Sequence, residues 1–107
     1  MDAVYEDPVV RKMTEDIIRI CDPFLIFYVS GKTNKKGELT GFKLCVVTDD
    51  SYTPEALETK LLLETECDIP CDFIVYNASD WNDYAEDDCS FAYRVDNGGV
   101  LLYGKKQ

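Results

Sequence analysis

The sequence predicts an α+β domain, a small mixed or antiparallel sheet covered by helices, and three observations carry that prediction. Runs rich in β-forming residues at 24–29, 42–48 and 72–76 have strand length and no helical period. A spacing of three and four residues between apolar positions runs through 8–21. Thr53-Pro54-Glu55 is a helix start: a hydroxyl cap, proline at the first helical position and an acid in the first turn.

In chain order, the first helix covers 8–21, with Asp7 as N-cap and Pro8 at the first helical position. Val9, Met13, Ile17 and Ile20 or Cys21 form its apolar stripe; Arg11, Lys12, Glu15, Asp16 and Arg19 fill the other face. Asp22-Pro23 stops it, because proline has no N–H for the helical ladder. Residues 24–29 (Phe-Leu-Ile-Phe-Tyr-Val) form a strand buried on both faces. A polar loop over 30–38 leads to the second strand at 42–48, and so short a connection favours an antiparallel hairpin. The helix opening at Pro54 buries Leu57, Leu61, Leu62 and Thr65 and ends near Cys67. A third strand at 72–76 lies beside the second. Ser79 caps a third helix with Trp81 and Tyr84 on one face. A short helical piece from Ser90 to about Val95, a turn at Asp96-Asn97-Gly98-Gly99 and a last strand at 100–103 complete the order.

The chain has 107 residues, 46% of them apolar, the size and composition of one domain spanning 1–107. No run approaches the ~18 apolar residues of a membrane span. The first seven residues, Met-Asp-Ala-Val-Tyr-Glu-Asp, are acidic and lack an apolar segment, so a cytoplasmic location is expected. A net charge of −10 sets the chain against general nucleic-acid binding. Lys32, Lys35, Lys36 and Lys43 depart from it locally, read as a solvated hairpin tip in preference to an anion site.

The chemistry-bearing residues exclude more than they include. No histidine exists, so no histidine base and no mixed Cys/His metal site can form. Cys21, Cys45, Cys67, Cys71 and Cys89 are expected as free thiols: the number is odd and the spacing irregular. Ser30-Gly31-Lys32-Thr33 lacks the preceding glycine of a phosphate loop, since Ile26 stands there. Asp80, Asp83, Glu86, Asp87 and Asp88 have neither the alternation nor the glycine of a calcium loop, and read as an exposed helix face. No complete catalytic site is visible.

The order of elements carries a resemblance. Helix, apolar strand, Ser-Gly segment, strand, helix, strand with an Asp, then the close Asp96-Asn97-Gly98-Gly99-Val100-Leu101-Leu102-Tyr103 resembles the minimal nucleotidyltransferase domain of the DNA polymerase β superfamily. The resemblance places that family's Gly-Ser at Val29-Ser30, or in shifted register at Ser30-Gly31. Its paired carboxylates fall on Gly41 and Lys43, and its third on Asp72. Two of three metal-binding carboxylates are therefore missing. What this implies is a catalytically inactive nucleotidyltransferase-like module with no catalytic residue, metal or cofactor and with weak or absent nucleotide binding. It would act through a protein partner or self-association. Ser30, Gly31, Gly41, Lys43 and Asp72 would be vestigial active-site positions. Lys43 would take the place of the lost cation in a partly buried ion pair with Asp72. Two alternatives stand beside it: an active magnesium-dependent enzyme using Asp49, Asp50 and Asp72, and an unrelated small α+β regulatory domain.

Overall fold

A computed structural model describes residues 7–104. Its elements are α1 (Pro8–Cys21), β1 (Leu25–Thr33), β2 (Leu39–Thr48), α2 (Pro54–Glu64), β3 (Cys71–Asn77), α3 (Ala78–Ala85), α4 (Phe91–Gly98) and β4 (Val100–Gly104). The strands form one mixed sheet in the order β3-β2-β1-β4. β1 pairs antiparallel with both β2 and β4, while β2 and β3, joined through α2, run parallel. The α+β class, the β1–β2 hairpin and the place of β3 beside β2 all agree with the sequence reading.

Alternation along the strands sends side chains to two cores. On one face Ile26, Tyr28, Phe42, Leu44, Val46, Phe73 and Val75 pack with Val10, Met13, Ile17 and Cys21 of α1 and Leu57 and Leu61 of α2. On the other, Leu25, Phe27, Cys45 and Val47 meet Trp81 of α3 and Ala92 and Val95 of α4. Phe27 stacks on Trp81 with ring centroids 5.5 Å apart. Helices on both faces explain why the central strands are apolar at consecutive positions.

Five local expectations are corrected. The polar segment after Val29 is mostly strand: β1 continues to Thr33, β2 starts at Leu39, and only residues 34–38 turn. Asn34 Oδ1 closes that turn by accepting from the N–H groups of Lys36 (2.9 Å) and Glu38 (3.0 Å), and Gly37 takes the left-handed φ of 80°. The faces of the first two helices are rotated. α1 buries Val10, Met13, Thr14, Ile17 and Cys21, leaving Val9 and Ile20 half-buried, and α2 leaves Leu62 54% exposed. α2 also ends at Glu64, short of Cys67. The cap of α3 is Asn77, whose side chain accepts from Asp80 N–H at 2.8 Å, not Ser79. α4 runs to Gly98 through the expected turn, capped by Ser90.

Candidate functional site

The sequence-derived positions converge on one end of the sheet, and a β-bulge brings them there. Tyr28 pairs with Leu44, but the next register partners are Ser30 and Lys43, so Val29 is the extra residue. Lys43 is in turn the partner of Asp72. Ser30, Lys43 and Asp72 therefore form a single row across β1, β2 and β3.

Their common face follows from alternation. Cys45 and Val47 belong to the core under α3 and α4, so Lys43, two residues before Cys45, projects to that side. Asp72 and Ser30, its register partners, share the face. The helices do not extend over this end: Ser30 and Asp72 are exposed and Lys43 is half-buried. Gly41 pairs with Lys32 in the next row outward and lies under Pro70, whose carbonyl oxygen is 3.4 Å from where a Cβ would sit. Gly31 belongs to the opposite face, where a Cβ would collide with the Tyr28 hydroxyl and press on Leu39. Four of the five positions are thus neighbours on one surface, and Gly31 backs them from behind.

The electrostatics of the row differ from expectation. No ion pair joins Lys43 to Asp72; among the described residues the ion pairs are Lys12–Asp16, Arg19–Asp16 and Lys60–Glu64. With Asp72 exposed, water solvates its charge and no buried countercharge is required. The idea of a partly buried pair is therefore corrected. Among the described residues, a trio of metal-donor side chains within 4.8 Å of one another occurs at Asp87, Asp88 and Cys89, all exposed and distant in sequence from the row.

Asp49 and Asp50 lie at the other end of β2. They follow Thr48, which pairs with Asn77, while Asp72 pairs with Lys43. Five register steps at ~3.3 Å, about 16 Å, separate the Lys43–Asp72 pair from the Thr48–Asn77 pair, and the two acids come after Thr48. Both acids have structural partners. Asp49 accepts from Ser51 N–H at 2.7 Å and from the Ser51 hydroxyl. Asp50 accepts from Ser79 N–H at 3.0 Å and from the Ser79 hydroxyl, clasping the N-terminus of α3. The Ser51 and Ser79 side chains, followed by their backbone N–H groups, hold the two carboxyls below the usual carboxylate range.

The thiols are buried to different degrees. Cys21 is pushed up to about 11 and Cys45 to about 12, each by burial first. Burial, then Cys67 and Asp72 nearby, pushes Cys71 up to about 12. All five cysteines are free.

Sequence reasoning missed the bulge at Val29 and the Asp50–Ser79 clasp. Neither leaves a sequence mark: a bulge changes phase without changing composition, and the clasp joins residues 29 positions apart. No helix among the described residues is long and apolar enough to cross a membrane. Compared with family models, curated proteins and solved structures, the chain matches none.

Proposed function

We propose that this chain is a catalytically inactive, nucleotidyltransferase-like interaction module. The observation that supports it is the charge of the row: of the three positions where the resemblance expects carboxylates, Gly41 and Lys43 carry none, and Asp72 alone remains. Two-metal phosphoryl or nucleotidyl transfer needs several oxygen ligands at ~2.1 Å around each magnesium ion. One exposed carboxylate beside an ammonium does not make such a set. Asp49 and Asp50 lie past the opposite end of β2, beyond a register pair about 16 Å away, and are already bonded to Ser51 and Ser79.

The test is a calorimetric titration of the domain with magnesium and each of the four nucleoside triphosphates, followed by assay for released pyrophosphate. The expected result is neither saturable heat nor pyrophosphate above the protein-free control. Turnover abolished by Asp72→Asn would overturn the reading and restore the enzyme.

A further inference from the structure

The β1–β2 hairpin extends past the part of the sheet that the helices cover, and its charge is opposite to that of the rest of the chain. Residues 30–40, beyond the pairing with β3, carry three lysines and one glutamate, while the remainder carries eight basic and twenty acidic residues. A tongue of net +2 thus projects from a body of net −12. Every residue from Ser30 to Glu38 is exposed.

The tongue also has an unpaired edge. β4 pairs with β1 only from Leu25 to Tyr28, so among the described residues no strand lies beside 30–33 on that side. An open strand edge presents N–H and C=O groups in the plane of the sheet and templates another strand. The bulge at Val29 puts Lys32 on the row next to Ser30 and Lys43, so an added strand would set alternate side chains beside Lys32. Lys35 and Lys36 stand at the turn that would flank its end.

We propose that the edge of β1 at 30–33 is a strand-addition site for an extended acidic peptide segment of a partner protein. Charge selects the peptide and main-chain pairing orients it. Nucleic acid fits the same surface less well. The tongue has no arginine for bidentate phosphate contacts and no aromatic for base stacking, and a long polyanion would also meet the −12 body. A short acidic strand touches the tongue alone. This names the surface and partner class of the interaction module proposed above, and rests on that reading.

The experiment titrates the 15N-labelled chain with a capped Glu-Val-Glu-Val-Glu-Val-Glu peptide. A Glu-Pro-Glu-Pro-Glu-Pro-Glu peptide is the control, with equal charge but no N–H at alternate residues. Expected are amide shifts concentrated at 30–33 and neighbouring Val100, with little response to the proline peptide. Binding should weaken about tenfold in Lys32→Glu/Lys35→Glu/Lys36→Glu, whose α1 and α3 amide positions report that it remains folded. Equal binding of the proline peptide, shifts centred elsewhere, no shifts at all, or preference for a single-stranded oligonucleotide would each sink the proposal. So would concentration-dependent self-association through the same amides. Pyrophosphate release in the separate nucleotide assay would instead remove the module reading, so the two failures are distinguishable.

Discussion

Lys43 and Asp72 occupy partnered positions on adjacent parallel strands and point to the same face, yet they form no ion pair. Solvent reaches both, and strands ~4.8 Å apart let flexible side chains diverge into water. In a double-mutant cycle with Lys43→Ala and Asp72→Asn, the two effects on stability should add to within about 0.5 kcal/mol. Denaturant unfolding of the four proteins measures this. A coupling of 2 kcal/mol or more, on the scale of about 3–5 kcal/mol for breaking buried pairs, would show a contact that forms in solution.

The consecutive leucines of α2 give a sharper contrast. Leu61 is fully buried, whereas its neighbours Leu62 and Leu63 are 54% and 80% exposed. Leu61→Ala should cost about 2–5 kcal/mol, through lost burial and the cavity left behind. Leu63→Ala should stay within about 0.5 kcal/mol. Comparable losses at both positions would mean that the helix sits rotated about its axis.

Thiol reactivity should follow burial. Under native conditions at pH 8, Cys89, which is exposed, should take up a maleimide first. Cys45, fully buried and pushed up to about 12, should react last, because the thiolate is the nucleophile and almost none is present. In denaturant without reductant all five should label, as counted by mass spectrometry. A Cys67–Cys71 disulfide in fresh protein would contradict the free-thiol state.

The Asp50–Ser79 clasp predicts an acid-dependent stability. Both Asp49 and Asp50 are held below the ordinary carboxylate range in the folded chain, so the unfolded chain takes up protons first. Their contribution is present above the ordinary carboxylate pKa and is lost as pH falls through the depressed folded value. Asp50→Ala should therefore lower Tm at pH 7, and its gap from the parent should narrow as pH falls below the ordinary Asp pKa of ~3.9. A gap that stays constant from pH 7 to pH 2.5 would show that the carboxylate charge contributes nothing to the clasp.

The sequence made legible whatever it encodes locally. The apolar runs that became β1, β2 and β3 were visible because helices on both faces require them. The cap of α1 at Asp7 was visible through its side chain, and the start of α2 through Pro54 and Glu55, although the Thr53 hydroxyl makes no capping bond. Phase was less legible. Leu61-Leu62-Leu63 is apolar all along, so the buried member is decided by packing against the sheet and not by periodicity. Residues 30–33 looked like loop because a ribbon exposed on both faces has no alternation to read. The row of Ser30, Lys43 and Asp72 depends on a bulge and on pairing across 29 residues between β2 and β3. Counting along the chain suggested those positions, and only register shows that they meet.

The sheet order also dictates how the domain can assemble. The β1–β2 hairpin is local and can form early, and β3 is reached after a single helix. β4 is different, because Val100–Gly104 must return across some seventy residues to lie against Leu25–Tyr28. Closing that interval carries a loop-entropy cost before any contact rewards it, which places the step late in folding. Until then, the outer edge of β1 along its buried half, Leu25–Tyr28, stands open. A ribosome that has made everything up to α4 therefore holds a sheet with its central strand at the rim, where pairing with a neighbouring nascent chain competes with completion of the fold.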